Sequence, residues 1–371
     1  MNRPLREQAL AWALLAPALT VLGVFGIFPI GYAFFVSLHR WRIKPEAFVG
    51  FSHYGRALGD GSHVLLFALG AALLWALVCG HRRWRGARFG PWGAAAAGLA
   101  MLAWGLDGLL ELGDQRLFNG FKVTAFYALG TIPLEVGGAL ILATLLFRAL
   151  RGKGFFRVLY FLPYVTPMIA TAVVFRTLFA AHPSSLANRF WGLLGWEGQR
   201  WLYESRSVVA LVLEGLGISQ YPAWVDGAFP SLALVSIVLY NIWVYIGYDT
   251  VILLAGLSAI PSHYFEAAKI DGASAAQTFR HITLPLISPS LFFLSLVAVI
   301  GTFKAFNHIY IMRTAGAQDT VDVVSVLIFD RFYEYHNAGY ASALALILFV
   351  VILALTVVQN RLLGRRVFYG E

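Results

Sequence analysis

The stretch Ser258-Ala259-Ile260-Pro261-Ser262-His263-Tyr264-Phe265-Glu266-Ala267-Ala268-Lys269-Ile270-Asp271-Gly272-Ala273-Ser274-Ala275-Ala276-Gln277-Thr278-Phe279-Arg280-His281-Ile282-Thr283-Leu284-Pro285 separates two long apolar runs, 229–255 and 286–311. Its punctuation predicts two short helices. Pro261 and Ser262 are start signals, and Glu266-Ala267-Ala268-Lys269 is a good helix former. Gly272 suits the left-handed position that closes a helix. Ser274-Ala275-Ala276-Gln277 then matches the capping box that opens another, and Pro285 falls in the first turn of the next run, where proline is tolerated. The product is a helix–Gly–helix elbow, a compact knob on which small alanines permit close approach by another surface. Tyr264, Phe265, Ile270 and Phe279 supply apolar anchors. An amphipathic elbow resting on a membrane surface would carry the same pattern.

The runs that flank the elbow belong to a series. A helix crossing a hydrocarbon core of ~30 Å needs about 20 mostly apolar residues. That ruler finds eight candidates, roughly 9–38, 63–81, 91–112, 121–147, 158–180, 229–255, 286–311 and 339–360. Composition agrees. Of 371 residues, 59% are hydrophobic and 13% charged, and the mean hydropathy is +0.71, whereas soluble domains carry about 25% charged residues. The first run is too long for the ~7–15-residue apolar region of a signal peptide and reads as an uncleaved helix. The single cysteine, Cys79, excludes an internal disulfide framework. The expected fold is therefore an all-α polytopic membrane protein.

Eight spans place both termini on one side. With that side cytoplasmic, the inner segments 1–8, 82–90, 148–157, 256–285 and 361–371 hold 15 Lys and Arg residues. The longer outer segments 39–62, 113–120, 181–228 and 312–338 hold ten. This excess on short inner loops follows the positive-inside rule. It absorbs most of the net charge of +9, so no basic stripe remains for nucleic acid. The runs 63–81 and 91–112, joined by His81-Arg82-Arg83-Trp84-Arg85-Gly86, form a hairpin that leaves and re-enters on the same side and can be inserted without inverting the rest. The outer segment 181–228, with Trp191, Trp196, Trp201 and Trp224, is too long to stay unstructured and folds or docks, unless its tryptophans are an interfacial belt.

Polar side chains at membrane depth are costly and face a bundle interior or a water-filled path. Asn241 and Asp249 lie in the sixth span, Lys304 and Asn307 in the seventh. Asn241, Tyr245 and Tyr248 or Asp249 recur at helical spacing, as do Phe303, Phe306, Asn307 and Tyr310. Amides beside aromatic rings suit a sugar, hydrogen-bonding its hydroxyls and covering its C–H faces. The same groups serve equally as glue between helices. Depth alone suggests a Glu135–Arg176 pair, and ion pairing or water access for Lys304 and Asp249.

Glu266-Ala267-Ala268, three residues, Gly272, nine residues and Ile282-x-Leu284-Pro285 resemble the EAA motif of ABC importer permeases. Ser258-Ala259-Ile260-Pro261 and Lys269-Ile270-Asp271-Gly272-Ala273 look like its carbohydrate-uptake, MalF-like branch. So do Arg151 to Arg157 with Phe161-Leu162-Pro163-Tyr164, Gly339 to Ala343, and Phe48 to Tyr54. The resemblance implies a six-helix importer core at 113–371 with its coupling loop at 258–285. The first helix and outer loop would occupy 1–62, and an inserted hairpin 63–112. It implies a second homologous permease, two ATPase subunits that hold the ATP and magnesium, an extracytoplasmic solute-binding protein and a carbohydrate solute, in a bacterial or archaeal cell membrane. Glu266, Ala267, Ala268, Asp271 and Gly272 would engage an ATPase. Substrate contacts would fall on Tyr164, Asn241, Tyr245, Phe306 and Asn307, while Met168 stands where a small polar residue is expected. The chain would be non-catalytic and carry no cofactor. No G-x-x-x-x-G-K-[ST], H-E-x-x-H or G-x-S-x-G occurs. The competing readings are a glycerol-3-phosphate importer, with Lys304 as cation, and an ion-coupled secondary transporter built on Asp249 and Glu135.

Overall fold

The computed structural model describes residues 3–79, 90–147, 152–218 and 220–368. The linker of the 63–112 hairpin with Arg82, Arg83, Arg85 and Arg88, and also Arg148, Arg151 and Glu371, lie outside the described residues. The protein is mostly helical. Among the described residues five helices are long and apolar enough to cross a membrane, or up to eight if each of three bent pairs is one span. The chain divides into two compact units, Met1–Phe118 with Ile328–Phe349 and Asn119–Leu327 with Val350–Glu371.

In the first unit, α1 (Leu10–Ser37) buries none of its apolar window. Trp12, Leu14, Phe25 and Phe28 are each more than half exposed, a surface that water would not tolerate and lipid does. A two-stranded antiparallel hairpin, β1 (His39–Trp41) and β2 (Pro45–Phe48), follows. Next come α2 (Gly61–Cys79) and α3 (Gly90–Leu112), packed antiparallel through glycines. A Cβ at Gly70 would lie 2.7 Å from the Leu102 amide nitrogen, and one at Gly105 2.5 Å from that of Phe67. Only glycine admits so close an approach of two backbones. At the base of the pair the Asp114 N–H donates to the Ala57 carbonyl at 3.0 Å. The Asp114 carboxylate in turn accepts from the Tyr340 hydroxyl at 2.7 Å and pairs with Arg331 at 3.4 Å.

The second unit is built on α4 (Gln115–Phe147), α5 (Lys153–Val165), α6 (Met168–Leu178) and α7 (Leu232–Ser258). These are followed by α8 (Ser262–Ile270), α9 (Ala275–Leu286), α10 (Ser288–Phe303) and α11 (Asn307–Met312). The last helix, α12 (Ala338–Leu363), belongs to both units. More than half of the apolar window of α7 is buried, as expected of a helix that is apolar all round. One core cluster joins Tyr127 of α4, Ile237 and Tyr240 of α7, and Ile309 and Met312 of α11. Another joins Ala139 and Ala143 of α4 to Leu253 and Leu257 of α7 and Leu294 of α10.

Two predicted spans are not straight. The run 158–180 is broken between α5 and α6, which meet at 94°. Pro167 lacks an amide donor and drives Thr166 into extended backbone, φ −72° and ψ 140°. The run 286–311 is entered through a 64° bend at Ile287, between α9 and α10, and is interrupted at Lys304–Phe306. The Phe303–Tyr310 spacing is therefore not that of one continuous helix. At this second break the Ser325 hydroxyl donates to the freed Ala305 carbonyl.

The segment 181–228 folds. Asn188, 5% exposed, accepts at Oδ1 from the Gln199 amide (2.8 Å) and the Trp201 indole N–H (2.7 Å). Its own amide donates to the His182 and Gln199 carbonyls. Trp191 packs on Trp196 and Trp201, of which Trp201 is buried, while Trp196 and Trp224 remain 55% and 64% exposed. Arg206 bridges Glu204 and Glu214.

Candidate functional site

The elbow forms as its caps dictate. α8 ends at Asp271, whose N–H donates to Ala267 at 3.0 Å. Gly272 takes φ +72°, a conformation that costs glycine little, and the Ala273 N–H closes the turn on the Ala268 carbonyl at 2.9 Å. Ser274 and Gln277 make both bonds of the capping box, at 3.3 and 2.8 Å. A π turn at Phe279–Thr283 then carries the chain toward Leu284–Leu286 and α10. Glu266, Ala267, Asp271 and Gly272 are exposed. Ala268 is buried, so its packing is internal to the chain. Phe265 likewise turns inward onto Phe147, and Ile270 stands 87% exposed. Tyr264, Ala267, Gly272, Gln277 and His281 border a depression of about 400 Å³ in the crook.

Tyr164, Asn241, Tyr245, Phe306 and Asn307 all line one cavity of about 490 Å³. They come from α5, α7, the α10–α11 break and α11. Gly247 is what lets α5 and α7 touch, because a Cβ there would overlap the Tyr160 carbonyl oxygen. The contact brings Tyr164 face to face with Tyr248, ring centres 4.4 Å apart and planes within 19°, and edge-on to Tyr245 at 5.7 Å. Offset stacks of this kind are worth about 0.5–1.5 kcal/mol.

Polar groups of α4 lie beside this cavity, with Glu135 on its wall. On α4, Tyr127, Thr131 and Glu135 recur every four residues and are all buried. Glu135 Oε2 accepts from the Asn241 amide at 3.0 Å, so Asn241 serves the helix contact and the cavity together. Glu135 does not pair with Arg176, which donates instead to the Ile311 carbonyl at 3.3 Å. The Glu135 and Asp249 carboxyls lie within hydrogen-bonding reach of each other, and no N–H or hydroxyl of the described residues donates to the buried Asp249 Oδ2. Among the described residues no ion pair joins Lys304 to Asp249. His308 is buried, with Nε2 2.8 Å from the Tyr127 hydroxyl. Sequence reasoning passed over it, although the four-residue rhythm of polar positions in α4 marks the face it meets.

A helical membrane protein with an exposed elbow and an amide- and tyrosine-lined cavity among its helices is of the transporter class. The sequence profile described as "Binding-protein-dependent transport system inner membrane component" matches residues 135–369. The chain belongs to that family, the non-catalytic, multi-pass permease subunits of ABC importers in which a separate ATPase hydrolyses ATP. It is 33% identical over 259 residues to the probable ABC transporter permease protein YesP of Bacillus subtilis, covering 68% of this chain and 75% of that one. It is 27% identical to the trehalose/maltose transport system permease protein MalF of Thermococcus litoralis, covering 95% and 93%. The sn-glycerol-3-phosphate permease protein UgpA of Agrobacterium fabrum is 31% identical over 70% of this chain and 80% of its own. A solved bacterial ABC transporter for import of the acidic polysaccharide alginate shares the fold, with a TM-score of 0.64 and 17% identity over 98% of each chain. Family membership overturns the ion-coupled secondary transporter as a reading of Asp249 and Glu135.

Proposed function

We propose that the chain carries a carbohydrate, an oligosaccharide or glycoside, through the cavity lined by Tyr164, Asn241, Tyr245, Phe306 and Asn307. The observation that supports this most is the convergence of amide groups and stacked tyrosines from separate helices on one membrane-embedded space. Flat rings cover C–H faces and amides meet hydroxyls, the mixture that small polar solutes require of a pocket. The carbohydrate named for several relatives agrees with it. A glycerol-3-phosphate solute is favoured by Lys304 on the same wall and by a relative of that name. Against it, a phosphate would have to enter beside the buried carboxyls of Glu135 and Asp249.

In this reading the chain has eight spans with cytoplasmic termini, an inserted hairpin at 63–112 and a six-helix core at 113–371. It pairs with a second homologous permease, takes solute from an extracytoplasmic binding protein and rests on two ATPases that bind ATP and magnesium. Glu266, Ala267, Asp271 and Gly272 present the elbow to one ATPase, and Ala268 packs it from beneath. Closure of the ATPases pulls the elbow, and α9 and α10 transmit the pull to the cavity wall at Phe306. The test is a gentle-detergent purification of the tagged chain with mass spectrometry, followed by uptake of labelled saccharides and glycerol 3-phosphate by the recovered complex. Recovery of a second permease and an ATPase with saccharide uptake is expected. Uptake of glycerol 3-phosphate alone would replace the solute, and a chain recovered alone would overturn the partner assignment.

A further inference from the structure

We infer that Glu135 and Asp249 form a cation subsite on the cavity wall, and that the solute class this path prefers is a saccharide bearing a protonated amine, an amino sugar or its glycoside. The inference rests on the cavity being the solute path.

Each of the two side chains is only 4% exposed, and the carboxyls are within hydrogen-bonding reach. Two carboxylates held together away from water cannot both carry charge unless a cation lies between them. The chain supplies little to offset that charge. Asn241 donates one hydrogen bond to Glu135. Lys304 borders the cavity but is exposed, and no ion pair reaches either carboxyl among the described residues. Asp249 Oδ2 is buried and accepts from no N–H or hydroxyl of the described residues, its near neighbour being the Glu135 carboxyl. His308 is a second buried polar group bordering this cavity. It is 3% exposed, and its Nδ1 is buried with no partner. An ammonium between the carboxyls would neutralise the pair, and a neighbouring hydroxyl of the same solute would meet His308 Nδ1. The stacked faces of Tyr164 and Tyr248 suit a cationic ring as well as a neutral one.

The test uses the full chain purified with its partner subunits and three β-1,4-linked disaccharides of matched shape: the glucosamine dimer, its N-acetylated form and cellobiose. Calorimetric titration should find the amine form bound about tenfold more tightly than the other two, the size of effect that one desolvated charge contact gives. In Glu135→Gln and in Asp249→Asn that ratio should fall to near one. Equal or weaker binding of the amine form beside bound cellobiose would overturn the subsite, leave the saccharide path standing, and mean that a shared proton neutralises the pair. An amine preference that survives both substitutions would overturn the assignment to these residues. No binding of any of the three would overturn the saccharide path and the subsite with it. Where a variant fails to assemble, the ratio in the unsubstituted protein decides.

Discussion

The elbow and the cavity lie in one unit of the chain and are built on opposite principles. Every bond that shapes the elbow joins residues within five positions of each other, from Ala273 to Ala268 and from Ser274 to Gln277. The cavity is held by bonds that cross 106 residues, from Asn241 to Glu135, and 181 residues, from Tyr127 to His308. A local device keeps its shape as it moves, which suits a part that is pulled. A device assembled from distant helices changes whenever those helices shift, which suits a path that must open and close. The breaks at Thr166–Pro167 and Lys304–Phe306 fall on the cavity side of this division.

Gly272→Pro would break the contrast most severely. Proline cannot reach φ +72° and removes the N–H that bonds to Lys269, at a cost of about 3 kcal/mol or more. Uptake should be abolished while the protein stays in the membrane and still binds solute; normal uptake would sink the coupling role. Next in size is Gly247→Ala, whose Cβ must push α5 from α7, costing about 1–3 kcal/mol. It should weaken solute binding with ATPase recruitment intact, and loss of recruitment instead would show that the two devices are not separable. Asn241→Ala leaves Glu135 without its donor, worth about 1–3 kcal/mol at a buried polar group. Transport assays should report reduced uptake, and unchanged uptake would reduce Asn241 to an incidental lining residue.

The smallest effect concerns the outer segment. Burial alone would raise the Glu204 carboxyl, but hydrogen bonds from Arg206 outweigh it and hold the group below the ordinary carboxylate range. A carboxyl depressed in the folded state gives stability that is present above its unfolded pKa and lost as pH falls through the folded one. Fluorescence of the Trp191, Trp196 and Trp201 cluster should therefore show an acid-side loosening that is weaker in Glu204→Gln. An identical acid transition in that variant would remove the pair from the account.

The same division explains what could be read in advance. Helix caps are local, so Gly272 and the Ser274–Gln277 box were legible down to the hydrogen bond, and the long apolar helices were legible because a bilayer sets their length. Pro167 was visible, yet a proline inside an apolar run reads as either a kink or a break, and 94° is the break. The stop at Lys304–Phe306 has no proline or glycine to announce it and depends on Ser325, which is remote in sequence. All five expected path residues reached the cavity. Their partners did not follow depth: Glu135 found Asn241 rather than Arg176, and His308, hidden in an apolar run, found Tyr127.

The closed base of the α2–α3 hairpin carries a topological consequence. Because the Asp114 N–H already reaches the Ala57 carbonyl, the two ends of the excursion stand next to each other, and Gly59 packs against Leu112 and Gly113. The main chain thus meets the hairpin as a railway meets a siding, with the points set a few ångströms apart. A short turn in place of residues 60–112 would restore the through line without its flanks having to part.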